Sequence, residues 1–239
     1  MPPQALQPGT GNLELETRNH IPCPIYQNLP EPLNCRMLRS SFTPDLVEAG
    51  CDEVGRGCLA GPVVAAAVVL PKGYQHELLN DSKQLTKEER LEIRQDILRD
   101  ALGWAVAEVS HAEIDEINIL NASFKAMHLA LDKLTIRPNF LLIDGNRFKP
   151  YGDLPFECII KGDSIYLSIA AASVLAKTYR DELMAQWSIQ FPGYGWETNV
   201  GYPTPEHREG IKKLGITPYH RRSFQLLPSQ LELFETETD

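Results

Sequence analysis

Residues Val63 to Leu70 read VVAAAVVL, an almost uninterrupted run of β-branched residues and alanine that suits a buried position in a sheet. Gly61 and Pro62 stand before the run and Pro71 closes it. The whole apolar stretch from Cys58 to Pro71 is shorter than the roughly 20 residues a membrane-spanning helix needs, so no span is expected. Leu46 to Glu53 also has strand character, and the two segments predict a hairpin or adjacent strands. Thr86 to Ala101 carries a helix start signal and helical apolar spacing, with Leu91, Ile93, Ile97 and Leu98 turned inward. Trp104 to Val109 returns to strand, Ile117 to Leu134 predicts a helix, and Phe140 to Ile143 and Phe156 to Ile160 predict short strands. An alanine-rich helical pattern from Ser164 to Trp187 puts Asp163 at an N-cap position, and a last helix is expected over Pro205 to Leu214. Strands interleaved with helices in this way make an α/β domain.

Eight of the 18 prolines fall within residues 1–45, a stretch without helical or alternating periodicity. Residues 1–44 are therefore expected to form a flexible arm, residues 45–225 one catalytic-sized domain, and residues 226–239 an acidic tail set off by Pro228. The start has no basic region followed by an apolar run, which points to a cytoplasmic protein. Five cysteines without a CxxC pair fit reduced thiols there better than a disulfide framework or a zinc site. The formal charge of -9 speaks against gripping nucleic acid by bulk electrostatics. The two ends hold much of that excess, however, leaving 20 basic against 24 acidic residues between them.

Three predicted strand ends finish in acid: Asp52-Glu53, Asp144-Gly145-Asn146 and Lys161-Gly162-Asp163. Taken singly, such an acid is more often a solvated turn residue or a cap than a ligand. Acids at the ends of sheet strands can nonetheless converge on one side of a sheet, where carboxylate oxygens suit Mg²⁺ or Mn²⁺. Neighbours on a regular strand point to opposite faces, so Asp52 and Glu53 can share one site only if the strand end twists or bulges. Gly55-Arg56-Gly57 supplies backbone flexible enough for that, and lets peptide groups approach a ribose or phosphate closely. His207 and His220 are expected to pack in loops rather than move protons.

The wording of these segments carries more than their spacing. AGCDEVGRGCLAGPVVAAAVVLP, NDSKQLT, LLIDGN, KGDSIYLSIAAASVLAKTYRD, YGWETNVGYPTPEH and GITPYHRRSF occur in this order over residues 46–225. In that order they resemble bacterial ribonuclease HII. The resemblance implies an RNase H-like fold, with a central mixed sheet flanked by helices and a small C-terminal helical region. It implies an endoribonuclease, expected to be monomeric, that hydrolyses RNA in RNA/DNA hybrids. It also implies incision 5′ to single ribonucleotides embedded in duplex DNA, as in ribonucleotide excision repair, leaving 5′-phosphate and 3′-hydroxyl ends. Asp52, Glu53, Asp144 and Asp163 then become the catalytic acids that hold two Mg²⁺ or Mn²⁺ ions, Asp163 the less tightly. Gly55, Arg56 and Gly57 become the contact to the ribose 2′-OH, and Tyr202 the stacking residue at the RNA-to-DNA junction, where the plainer alternative is a packed loop aromatic. Lys83, Ser173, Lys177 and Arg180 fall in matching segments as phosphate contacts, although lysines on helix faces are usually just solvated. Asn199 and Val200 stand where many relatives have His and Lys, which weakens one phosphate contact.

In the tail, Gln230-Leu231-Glu232-Leu233-Phe234 resembles the short peptide by which bacterial replication and repair enzymes dock on the DNA sliding clamp. Leu231, Leu233 and Phe234 would fill an apolar groove with Gln230 at its edge. A tail that packs on its own domain is the equal alternative.

Overall fold

A computed structural model of the protein describes residues 38–79 and 85–227. In chain order these form β1 (Glu48–Val54), β2 (Val63–Val69), α1 (Lys87–Asp100), β3 (Gly103–Val109), α2 (His111–Ile117), α3 (Ile119–Asp132), β4 (Phe140–Asp144) and β5 (Phe156–Ile159). A 3₁₀ turn (Gly162–Ser164), α4 (Leu167–Gln190), α5 (Trp196–Asn199) and α6 (Pro205–Leu214) follow. The five strands lie in the order β3-β2-β1-β4-β5. β1, β2 and β3 pair antiparallel, and β1, β4 and β5 pair parallel, so the sheet is mixed as expected.

The apolar run that predicted β2 is explained by its place next to the centre of this sheet. Val63, Ala65, Ala67 and Val69 face α2 and α3, while Val64, Ala66 and Val68 face α1 and α4. A strand covered on both faces cannot alternate with polar residues. Ala66, with Ala170, Ala171 and Ala172 of α4, lets the helix lie close to the sheet. Closest of all is Gly50 in β1, where an added Cβ would stand 2.2 Å from the Ser168 carbonyl carbon.

Several predicted elements shift. The helix expected over Ile117 to Leu134 is α3, which starts at Ile119 because Asn118 takes a positive φ of 65° and its side chain caps the helix by accepting from the Leu120 and Asn121 amides at 3.1 Å, while the short α2 before it was not expected. In α1 the inward stripe is Ile93 and Ile97 with Leu98 beside them, whereas Leu91 is 36% exposed. Asp163 is not an N-cap: it lies in the 3₁₀ turn, and Tyr166 precedes α4.

The packed chain also extends beyond both expected boundaries. Arg39 bonds across to the Ile165–Leu167 segment, Phe42 stacks on Phe140 at 5.6 Å, and the Phe42 amide donates to Glu48. At the other end Leu226 and Leu227 are buried with Leu59, Ala60, Met184, Tyr194, Trp196 and Ile211, the core of the small C-terminal helical region. Residues 1–37, Lys83 and the Gln230–Phe234 peptide lie outside the described residues.

Candidate active site

β1 and β4 are parallel neighbours paired through Cys51↔Ile143, so the next residues, Asp52 two short of the end of β1 and Asp144 at the end of β4, stand side by side. Asp52 is 7% exposed. The bulge expected at the end of β1 is absent: pairing with β2 runs one for one through Asp52↔Ala66, Glu53↔Ala65 and Val54↔Val64. The two acids accordingly obey strand geometry. Asp52 meets Ser173 of α4, and Glu53 opens toward Leu120 of α3, so they share a strand end rather than a face.

That strand end is the floor of a cavity of about 290 Å³ lined by Asp52, Glu53, Asp144, Ser173, Lys177 and Tyr202, together with residues 54–57. A second cavity of about 320 Å³ shares Glu53, Arg56 and Asp144 and continues past Gly145, Asn146 and Arg147. Asp144 is held by the Gly162 amide, which donates to its Oδ1 at 2.7 Å, and the Glu53 amide donates to Asp52 Oδ1 at 2.7 Å. Asp163 is 3% exposed and lines neither cavity. Three of the four expected acids therefore meet at one opening, and the fourth is buried outside both cavities.

Burial, then the charges of Asp144 and Glu53, push the Asp52 carboxyl well above the usual carboxylate range, against the Ser173 hydroxyl and the Glu53 amide. Glu53 is also raised, by burial first; the Arg56 guanidinium, 3.0 Å from Glu53 Oε1, opposes that shift while Asp144 adds to it. Among the described residues no three His, Cys, Asp or Glu side chains are drawn into one ion-binding cluster. What they form is a set of oxygen donors repelling one another at a cavity floor, and a hard divalent cation reverses that cost.

The Gly55-Arg56-Gly57 loop beside the acids is fixed by one buried arginine, and the segments next to it by a second. Arg221 donates from Nε to the Gly61 carbonyl at 2.9 Å, from Nη1 to that of Arg56 at 2.9 Å and from Nη2 to that of Gly55 at 2.7 Å. Arg180 donates from Nε to Pro62, from Nη2 to Ala60 and from Nη1 to Val200, at 3.0, 3.0 and 2.7 Å. Arg180, expected at a phosphate, is thus fully buried and occupied by backbone carbonyls. Gly55 must be glycine, since its φ is 91° and a Cβ would lie 2.3 Å from Arg180 Nε.

Tyr202 stands across the cavity, 39% exposed, with its ring 4.0 Å from where a Cβ on Gly57 would be. Its loop is built from within. Asn199 donates to the Tyr194 carbonyl at 2.7 Å and accepts from the Gly201 amide at 2.8 Å. Below it, Trp196 Nε1 donates to His207 Nε2 at 2.9 Å, and His207 Nδ1 donates to the Tyr202 carbonyl at 2.9 Å. His220 Nε2 lies 3.1 Å from His207 Nε2, and its Nδ1 accepts from the Thr217 amide at 2.9 Å. Both rings are buried and burial lowers both imidazoles, so His207 and His220 are packed as expected, although His207 sits on α6 rather than in a loop. Lys177 lines the cavity but is paired with Asp181 at 2.6 Å.

Arg221, Asn146 and Arg147 were not legible as site residues. Arg221 has a near-identical neighbour in Arg222, and nothing in the sequence tells which of the two turns inward.

A family model described as Ribonuclease HII matches residues 49–227. The chain belongs to the ribonuclease HII family. Membership makes it a ribonuclease H, a hydrolase. The ribonuclease HII of Bacteroides fragilis is 61% identical over 199 residues, covering 83% of this chain and 99% of the relative. That of Cytophaga hutchinsonii is 61% identical over 198 residues, covering 82% and 98%. Among solved structures, the ribonuclease H2 of Pyrococcus horikoshii superposes with a TM-score of 0.64 at 27% identity, covering 75% of this chain and 94% of that one. A PCNA:RNase HII complex from Archaeoglobus fulgidus gives 0.65 at 26%, covering 79% and 100%. Both agree with the mixed sheet and flanking helices of this ribonuclease HII family member. No helix among its described residues is long and apolar enough to cross a membrane.

Proposed function

We propose that the protein is a metal-dependent endoribonuclease that cuts the RNA strand of RNA/DNA hybrids and incises duplex DNA 5′ to a single embedded ribonucleotide. The observation that carries this reading is the lining of one cavity by Asp52, Glu53 and Asp144 together with the Gly55-Arg56-Gly57 loop and Tyr202. Asp52, Glu53 and Asp144 are the donors for two Mg²⁺ or Mn²⁺ ions, with Asp163 as the looser member. When bound, such ions activate water and stabilise the leaving oxygen of an in-line phosphoryl displacement, giving 5′-phosphate and 3′-hydroxyl ends.

The chain's own residues account for selectivity. Peptide groups of the glycine-flanked loop, immobilised by Arg221, read a 2′-hydroxyl, a group that only the ribonucleotide offers. Tyr202 presents a ring to the adjoining sugar. Ser173 orients Asp52, and Lys177 and Arg56 give positive charge beside the acids. The cellular role that follows is removal of misincorporated ribonucleotides by a cytoplasmic, monomeric enzyme. A further part of the reading is docking of Gln230-Leu231-Glu232-Leu233-Phe234 on a sliding clamp; the PCNA complex of the Archaeoglobus fulgidus protein supports it.

A substrate panel tests the selectivity. Wild type is expected to cut a uniform hybrid and a duplex with one ribonucleotide, and to leave all-DNA duplex intact. Tyr202→Ala should lose the single-ribonucleotide cut in preference to the hybrid cut. Equal loss on both substrates would remove the junction role of Tyr202.

A further inference from the structure

The two cavities that meet at the acids are unequal in available positive charge. On the side lined by Tyr202, Lys177 is already paired with Asp181 at 2.6 Å. Arg56, common to both cavities, is paired with Glu53 at 3.0 Å. Arg180 and Arg221 are fully buried, with their donors on carbonyls. On the other side Arg147 is exposed and, among the described residues, has no carboxylate partner. Of the described cations at the two cavities, Arg147 is the one whose whole charge is open to an incoming anion.

Its position is also defined rather than loose. Two residues before it, the Gly145 amide donates to the Ile159 carbonyl at 2.9 Å, tying the end of β4 to β5. One residue after it, Phe148 packs edge-on against Phe156 and His128 with ring centres 5.2 Å away in each case. Arg147 therefore projects from a short segment anchored on both sides, so little ordering remains to be done on binding. At Gly145 a Cβ would meet nothing within 4 Å, which leaves the approach along the backbone open. Asn146 adds an exposed amide next to the guanidinium.

We infer that Asn146 and Arg147 form a phosphate subsite for the nucleic-acid backbone, on the side of the carboxylates that Tyr202 does not line. The ligand class is a phosphodiester, which the planar guanidinium can grip with two parallel hydrogen bonds. A polyanion crossing a floor of carboxylates needs a cation beyond them as well as before them, and Arg147 supplies it. The subsite rests on the proposed endonuclease reading.

The test uses the full chain with Arg147→Ala and Arg147→Lys, on a duplex carrying one ribonucleotide. Two readouts are taken: steady-state cleavage, and fluorescence-anisotropy binding in chelator. Arg147→Ala is expected to raise KM about tenfold with kcat held. It should also flatten the salt dependence of binding by close to one phosphate, a slope change of about 0.9. Arg147→Lys should recover the slope but only part of KM, since an ammonium lacks the guanidinium fork. Unchanged KM and salt slope in Arg147→Ala, with wild type cleaving, would overturn the subsite alone. A fall in kcat with KM and slope unchanged would overturn it too, because Arg147 would then act on the acids and not on phosphate. If wild type binds with an Arg147-dependent slope yet never cleaves, the subsite stands and the hydrolytic reading falls. Wild type that does not bind the duplex overturns both.

Discussion

Replacing Arg221 with methionine keeps most of the side-chain volume and removes three donors, at the Gly55, Arg56 and Gly61 carbonyls. Each buried acceptor left unsatisfied costs about 1–3 kcal/mol. Loss of the guanidinium returns part of that, because burial is unfavourable to the charge and already holds its pKa down at about 10. A net loss of about 3–4 kcal/mol is reasonable for a domain of this length, which corresponds to a fall in Tm of about 10 °C. Two of the freed carbonyls belong to the loop proposed to read the 2′-hydroxyl. A loop displaced by about 1 Å would lower kcat/KM on ribonucleotide-containing duplex on the order of 100-fold. Arg221→Lys keeps the charge, yet one ammonium cannot span three carbonyls, so it should fall between wild type and Arg221→Met. The control is Arg222→Met: that residue bonds Asp115 through its backbone amide at 2.9 Å, so the substitution should leave Tm nearly unchanged. Thermal unfolding by circular dichroism and initial rates of cleavage give the two readouts. Arg221→Met that melts within about 2 °C of wild type and cleaves as fast would refute the reasoning.

Three other outcomes are expected. His220 is pushed down to about 4 by burial and then by the charge of His207, and His207 is lowered as well. A depressed histidine leaves stability intact above the unfolded value near about 6.5 and erodes it as pH falls toward 4, by up to about 3 kcal/mol for His220. Tm should drop more steeply over that window in wild type than in His220→Gln, and parallel curves would count against a neutral pair. Gly50→Ala puts a Cβ 2.2 Å from the Ser168 carbonyl carbon, so α4 must move off β1, costing about 1–3 kcal/mol and shifting Ser173 and Lys177 with it. Cleavage by Gly50→Ala at the wild-type rate, with unchanged Tm, would show that the helix yields freely. Asp52 is held above its ordinary range, so its ionisation costs stability at neutral pH, and Asp52→Asn should melt higher than wild type in chelator. A lower Tm would mean that its hydrogen bonds outweigh the repulsion.

What the sequence revealed follows from how local each signal is. β2 was legible because eight apolar residues between prolines have few other places to go, and its burial on both faces bears out that pattern. The start of α1 was legible because Thr86 and Glu89 bond each other's amides within four residues. α6 kept its predicted bounds, with Thr204 as cap and Gly215 at its end. α2 was missed because it is seven residues long and buries only Ile114, too short a stretch to show a helical period, whereas α3 begins within two residues of its expected start. Asp52, Glu53 and Asp144 could be named from strand ends and family wording, but their meeting depends on the β1–β4 pairing, which closes a loop of nearly a hundred residues. The arginines were hardest: Arg221 reaches Gly55 across 166 residues and Arg180 reaches Pro62 across 118, and a helix-face arginine looks the same whether it meets phosphate or carbonyls. Both expected boundaries fell short for a similar reason. Proline content set the start at residue 45, while Phe42 packs on Phe140 across the fold.

The measurement closest to the central claim is incision of a DNA duplex containing one ribonucleotide, beside an all-DNA control, by wild type and Asp52→Asn in Mg²⁺ or Mn²⁺. The expected result is a single cut 5′ to the ribonucleotide by wild type, none in the control, and loss of cutting in Asp52→Asn with its fold retained. No cut under either ion, or an undiminished cut by a folded Asp52→Asn, would contradict a metal-dependent site built on these carboxylates.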